Sequence, residues 1–267
     1  MSRDHPSAAV LHAFGADGPA RRLTGGQGTS WRAGPVVLKP DGGGLHAWLG
    51  EAFAGVAGDG FRLAAPVRAQ DGAWSVQGWS ATRWVPGAEP DYTAVSTWRE
   101  ILAAGRAFHR AVAHLGRPDF LDTRRDWWAE ADRVAWGERT VLFLPEFAAL
   151  ARRLEGALRP LGRPQLVHAD LSGNVLFAPG LPPAVIDISP YWRPPQLADG
   201  VVVADALCRQ DAPSSLAETL KVPASAVARA LLFRMATANE RVLSGDEGAD
   251  PRDEARRYSR AATAIGL

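Results

Sequence analysis

At 267 residues, 46% of them apolar, the chain is long enough for one large domain or two modest lobes around a buried core, which excludes a disordered tail or linker. Thirty basic against 29 acidic residues leave a formal charge of +1 and no long basic run, so no electrostatic footprint for nucleic acid or an anionic membrane is present. A single cysteine, Cys208, excludes an internal disulfide framework; with no signal-peptide core in residues 1–20 and no apolar run of membrane-spanning length, the expected place is the cytosol.

The pattern predicts a short helix from Asp4 to Gly15, capped by Asp4 or Ser7, with Val10, Leu11 and Phe14 on one stripe. Leu23 to Gly26 and Ser30 to Arg32 read as the arms of a hairpin tipped by Gly25-Gly26-Gln27-Gly28-Thr29, and Ala33-Gly34 turns into a strand from Val36 to Lys39. Glycines at such a tip let backbone N–H groups approach phosphate oxygens; the same composition also makes an ordinary turn. Only two of the 30 basic residues are lysines, Lys39 and Lys221. Lys39 is then either a compact ammonium kept for a purpose or a solvated strand end before Pro40. Leu45, Trp48, Leu49, Phe53 and Val56 recur at helical spacing over 44–56, with Glu51 the one acid in that stretch. Arg62 to Ala69 and Ala73 to Trp79 read as strands joined by Asp71-Gly72, the second running on through Ser80 to Val85 until Pro86-Gly87 breaks it.

Beyond that break helices dominate: Thr93 to Leu115, with Trp98, Ile101, Leu102, Gly105, Phe108 and Val112 on one face, then Asp122 to Gly137 and Pro145 to Leu161. Next comes QLVHADLSGNVLFAPGLPPAVIDIS, residues 165–189, three short apolar runs bordered by Asp170, Asn174 and Asp187 where core strands do not want them. Buried carboxylates need a partner or a cation. A carboxylate on a tight loop, an amide four residues later and a second carboxylate after the next strands can hold a hard cation while one acid orients a hydroxyl. Ser189 to Pro195 is too rich in proline for a helix or an inner strand. A helix resumes from Asp199 to Cys208, on which Asp205 faces either loop backbone or an acceptor, and Pro223 to Leu243 and Pro251 to Ile265 close the chain. The lobe boundary is expected between residues 80 and 90, giving lobes of 1–87 and 88–267.

HADLSGN and VIDIS resemble the catalytic loop and metal aspartate of the kinase-like phosphotransferases, in particular the aminoglycoside phosphotransferase-like small-molecule kinases. The phrases GGQGTSW, HADLSGNVLF and VIDISPYWRPP point within that group to an actinobacterial type. Two departures stand out: the family writes the loop H-x-D-x-x-x-x-N, one residue longer than here, and the usual D-F-G reads Asp187-Ile188-Ser189. The resemblance implies an α+β, two-lobed protein-kinase-like fold, with a small antiparallel sheet in the first lobe and a mostly helical second lobe. It also implies transfer of the ATP γ-phosphoryl group to a hydroxyl of a sugar, amino sugar, aminoglycoside or amino alcohol. Asp170 then orients the hydroxyl, Asn174 and Asp187 hold Mg²⁺, and Lys39 binds phosphates, with Glu51 either pairing with it or standing as an exposed helix glutamate. Gly25, Gly26, Gln27, Gly28, Thr29 and Ser30 cover those phosphates, and the backbone of Ala81, Thr82, Arg83 and Trp84 meets the base. Tyr191, Trp192 and Arg193 either wall the acceptor site, with Asp205 as a further contact, or form a loop pinned by its aromatics. His168 belongs to loop architecture. Two other readings stay open: a nucleotide-binding pseudoenzyme of the same fold, and metal-dependent hydrolysis through His168, Asp170 and Asp187.

Overall fold

The computed structural model describes residues 5–16, 18–24, 28–41, 44–246, 248 and 250–267. In chain order the first elements are α1 (Ala8–Ala13), β1 (Arg21–Arg22), β2 (Trp31–Ala33), β3 (Val36–Pro40), α2 (Leu45–Ala52), β4 (Arg62–Leu63), β5 (Pro66–Val67), β6 (Ser75–Val76) and β7 (Trp79–Arg83). They are followed by α3 (Val95–Ala111), α4 (Phe120–Thr123), α5 (Trp127–Ala135), α6 (Pro145–Ala157), β8 (Gln165–His168), β9 (Val175–Ala178), β10 (Leu181–Val185) and β11 (Pro190–Arg193). The chain ends in α7 (Pro195–Arg209), α8 (Leu216–Thr219), α9 (Ala224–Leu243) and α10 (Pro251–Ala264). Two compact units result, Met1–Glu89 with Leu176–Asp187, and Pro90–Val175 with Ile188–Leu267. The boundary expected at residue 87 falls at 89, and the segment ending on Asp187, expected in the second lobe, clusters with the first.

In the first unit a sheet runs β1-β2-β3-β7-β5, with β6 also on β7 and every pairing antiparallel. Val10 and Phe14 of α1 pack with Leu38, Trp79 and Ala81 as its core. Of the two expected caps Ser7 holds α1, its hydroxyl accepting the Val10 N–H at 3.3 Å, while Asp4 lies outside the described residues. The long strand expected over 73–85 is two strands. Gln77 (φ 51°) and Gly78 (φ 76°) are both left-handed, the conformation a two-residue hairpin asks of its central pair, and they fold β6 back onto β7. The strand expected over 62–69 also breaks, because its two ends pair with different sheets. β4 runs parallel to β10, whereas β5 pairs with β7, and the N–H of Ala64 and the C=O of Ala65 bond Val185 and Arg83 respectively.

The second unit is helical around the β8–β11 ribbon. Its register sets Pro190 opposite His168 and Arg193 opposite Gln165. A strand here departs from the expectation of a loop, and the prolines explain how: Pro190 opens the strand, while Pro194 and Pro195 fall at the cap and first turn of α7. Residues Leu197 to Cys208 of α7 are buried throughout. Gly200 lets α7 approach α9 so closely that a Cβ there would collide with the Ala226 carbonyl. The apolar stripe read on α3 is the buried one, Trp98, Ile101, Leu102, Phe108 and Val112 all lying inside. No described helix is long and apolar enough to cross a membrane.

Candidate active site

β8 ends at His168 and the chain turns over Leu171-Ser172-Gly173-Asn174 before β9. The Asn174 N–H bonds the Leu171 carbonyl at 3.0 Å, and Gly173 takes φ 81° at the third position, as a tight turn with a left-handed third residue requires. This short turn lays the Asn174 side chain on Asp170: Nδ2 donates to the Asp170 carbonyl at 2.7 Å and to its Oδ2 at 3.3 Å. Leu171 is fully buried against α3, where Gly105 leaves room for it. His168 is fully buried; its Nδ1 accepts the Ser189 N–H at 3.2 Å, while its own N–H donates to His109 Nε2 at 3.1 Å. Burial, then the neighbouring His168, lowers His109 from 6.5 to about 3, so this acceptor nitrogen stays unprotonated. The two imidazoles therefore clamp the roots of the loop and leave Asp170, with 40% of its side chain exposed, at its tip.

Asp170 has a partner that sequence reasoning missed. Arg234 of α9 donates from Nη2 to Asp170 Oδ1 at 2.6 Å, and from Nε and Nη2 to Asp205 at 2.9 and 2.6 Å. Burial opposes the Arg234 charge, but Asp205 and Asp170 outweigh it and hold the guanidinium protonated well above its usual range. Asp205, considered as an acceptor contact, is buried with both oxygens on Arg234. The available signal was an arginine inside Leu231-Leu232-Phe233-Arg234-Met235, a charge in an apolar run that burial obliges to be paired.

In the first unit Lys39 Nζ lies 2.7 Å from Asp187 Oδ1, so β3 and the end of β10 meet through this ion pair. Asp187 takes φ 48°, a left-handed conformation that aspartate tolerates better than most residues. The pair expected between Lys39 and Glu51 is not made: Glu51 accepts from Arg68 Nη2 and, at 3.0 Å, from Trp74 Nε1. Glu51 sits in the last turn of α2, and both its partners lie between β5 and β6. Gly25, Gly26 and Gln27 lie outside the described residues. Gly28 is left-handed (φ 65°) with its carbonyl on Arg22 Nε at 2.6 Å, Thr29 is exposed, and the Ser30 carbonyl accepts the Leu23 N–H. The base-binding role expected of Ala81 to Trp84 meets an obstacle. Ala81 and Thr82 are flanked by β3 on one side and β5 on the other, and the N–H groups of Arg83 and Trp84 donate to Ala65 and Pro35. Those N–H groups, and the backbone of Ala81 and Thr82, are committed to the sheet.

Tyr191, Trp192 and Arg193 line a cavity of about 300 Å³ within the second unit, together with Arg117, Asp122 and Glu138 among others. Arg193 is not available to a ligand as expected, because it forks onto Asp132 (2.7 Å) and Glu138 (2.6 Å). Tyr191 is buried against Phe233, ring centroids 5.7 Å apart, and burial pushes its phenol up, with Arg124 opposing. Arg117 and Asp122 pair at 2.6 Å across the same wall. The acids of the cavity are thus already matched by arginines.

Taken one by one, the two donors are of the kind that the cation implied by the resemblance takes. Asp187 is half exposed, and fixing the Asn174 nitrogen on Asp170 leaves its carbonyl oxygen as the group it offers; carboxylate and amide oxygens are what Mg²⁺ takes. Among the described residues no group of three or more His, Cys, Asp or Glu is assembled for a metal, and both ring-nitrogen contacts described for His168 and His109 are to backbone N–H groups.

Comparison with solved structures returns the same fold at low identity. A choline/ethanolamine kinase family protein from Mesorhizobium loti is 19% identical, with a TM-score of 0.60 over 97% of this chain and 92% of that one. An aminoglycoside phosphotransferase from Alicyclobacillus acidocaldarius gives 16%, 0.60, 97% and 93%. A spectinomycin phosphotransferase, solved with ADP and spectinomycin, gives 12%, 0.56, 97% and 96%. No match is found among curated protein sequences. The family described as the phosphotransferase enzyme family matches residues 45–233, a span that runs from α2 through β11 into α9 and takes in Asp170, Asn174 and Asp187. The chain belongs to that phosphotransferase family, and its mixed α+β architecture is the kinase-like one.

Proposed function

We propose that the protein transfers the γ-phosphoryl group of ATP to a hydroxyl of a small molecule. The observation that carries this reading is Asp170: a half-exposed carboxylate at the tip of a turn whose roots are buried, with one oxygen on Arg234 and the other beside Asn174. An acceptor hydroxyl bonded to Oδ2 of Asp170 is oriented for in-line attack. Its oxygen forms a bond to the γ-phosphorus, the bond from that phosphorus to the β–γ bridging oxygen breaks, ADP leaves with the electron pair, and the hydroxyl proton passes to Asp170. Lys39 supplies a compact positive charge for phosphate oxygens, exchanging its bond to Asp187 for them. Gly28 and Thr29, the described end of the glycine-rich segment, are assigned a backbone N–H contact to the same phosphates. Asn174 and Asp187 would hold Mg²⁺, which when bound neutralises phosphate charge.

The cavity beside Tyr191 and Trp192, whose lining does not include Asp170, takes in this reading the part of the acceptor remote from the reacting hydroxyl. Its carboxylates are paired internally, which argues against a polycationic acceptor and for a neutral or zwitterionic hydroxyl compound stacking on the exposed part of Trp192. The test is ATP consumption with Mg²⁺ across sugars, amino sugars, amino alcohols and aminoglycosides. Turnover with at least one acceptor, lost in Asp170→Asn, supports the proposal. Stabilisation by ATP with no phosphate transferred to any of them supports a nucleotide-binding module instead.

A further inference from the structure

We infer that Arg234 is a positioning residue for Asp170 and that Asp205 serves to hold Arg234, an inference that rests on the reading of Asp170 as the acceptor-binding carboxylate. The three charges come from separate elements: Asp205 from the middle of the buried helix α7, Arg234 from α9 and Asp170 from the loop after β8. Asp205 takes Nε and Nη2 of the guanidinium in a fork, at 2.9 and 2.6 Å. Because a guanidinium is planar and its N–H directions are rigid, that fork fixes where the second Nη2 hydrogen points. It points to Asp170 Oδ1, 2.6 Å away. A charged bond therefore sets the torsion of the Asp170 carboxylate, spends one oxygen and turns the other outward.

Exposure separates this arrangement from a simple buried pair. Asp205 has 12% of its side chain exposed and needs a counter-charge; Asp170 has 40% and does not. Asp205 alone already balances the Arg234 charge within the core. Its contact with Asp170 carries a core-anchored direction out to the loop tip, where the turn over Leu171 to Asn174 supplies only a 3.3 Å contact to Oδ2. A lysine in this place would be a point charge without the fork and would leave the direction unset.

Removing Arg234 alone strands Asp205, so the informative variant replaces both, Arg234→Met with Asp205→Leu, which keeps the volume and leaves no unpaired charge in the core. The expected result is a folded protein that binds ATP as the parent does, with kcat down about 100-fold and the KM for ATP unchanged. Arg234→Lys, which keeps the charge, is expected to lose kcat to a similar extent. A purely structural role would instead predict that the double variant, once folded, turns over normally. The contact itself is read without catalysis: Asp170→Ala should shift the melting temperature of the parent by a different amount from that of the double variant, where only the Asn174 contact to Oδ2 remains. Parental kcat in the folded double variant, or an Asp170→Ala effect that is the same in both backgrounds, overturns the inference while leaving phosphotransfer standing. Absence of ATP consumption by the parent with every acceptor overturns the functional reading instead, and positioning for catalysis falls with it.

Discussion

His109 accepts the His168 N–H through Nε2, a bond open only to neutral imidazole, and burial holds its ionisation at about 3 against 6.5 in an unfolded chain. Above pH 6.5 neither state carries the proton, so the bond contributes in full. Between 6.5 and about 3 the unfolded chain binds a proton that the folded one refuses, and stability declines as pH falls, by on the order of 5 kcal/mol across the window. His109→Gln keeps an acceptor and removes the titration, so its urea-unfolding free energy should depend less on pH between 7 and 4.5 than the parent's; equal slopes would contradict the assignment. Asp170 is tested separately. Asp170→Asn should lower turnover about 10²- to 10⁴-fold with nucleotide affinity retained, measured by coupled ADP release and by calorimetry. At this scale Asp170, Asn174, Lys39 and Asp187 stood out in the sequence as candidates because each is a polar group bordering an apolar strand, where burial makes it conspicuous. Their partners could not. Arg234 lies 64 positions from Asp170 and Arg68 lies 17 from Glu51, and only the folded chain brings these charges together.

Elements position these side chains through a few close approaches. Gly105 of α3 admits Leu171, the residue after Asp170, and a Cβ at 105 would strike the Leu171 side chain. Gly105→Ala should therefore cost about 1–3 kcal/mol in stability and also reduce turnover by displacing the loop, whereas Gly116→Ala, where a Cβ meets nothing, should do neither. Gly200→Ala presses α7 onto the Ala226 carbonyl and should destabilise by a similar amount, read as a lower urea midpoint. The apolar periodicity of α3 and α9 made these helices legible, since a helix declares its buried face locally. Strand ends were less so. Asp71-Gly72 does turn the chain as its signature asks, the Ala69 N–H bonding the Ala73 carbonyl at 2.8 Å with Gly72 at φ 87°, but the second turn, Gln77-Gly78, which folds β6 onto β7, carried no such signature. β11 was hidden by its prolines, all of which sit at its start or beyond its end.

Across the whole molecule the order of elements was the most legible feature: sheet, isolated lysine, helix, hairpin, helices, acidic loop and aspartate follow one another as the resemblance required, and the family match spans most of that order. What could not be read locally was which segments cluster. Residues 176–187 sit far along the chain but pair β10 with β4, so the first unit is discontinuous. This gives Asp187 a contact with Lys39 that a contiguous lobe would not have suggested. Asp187→Ala should abolish the Mg²⁺-dependent part of ATP binding and leave the metal-independent part, seen as titrations with and without Mg²⁺ that coincide in the variant; a parental Mg²⁺ response would contradict its role. The most direct measurement is ATP consumption with Mg²⁺ by the parent and by Asp170→Asn across the panel of hydroxyl acceptors. Acceptor-dependent ADP formation in the parent that disappears in the variant is the expected result; equal ADP formation in both, or none in the parent with any acceptor, would contradict phosphotransfer through Asp170.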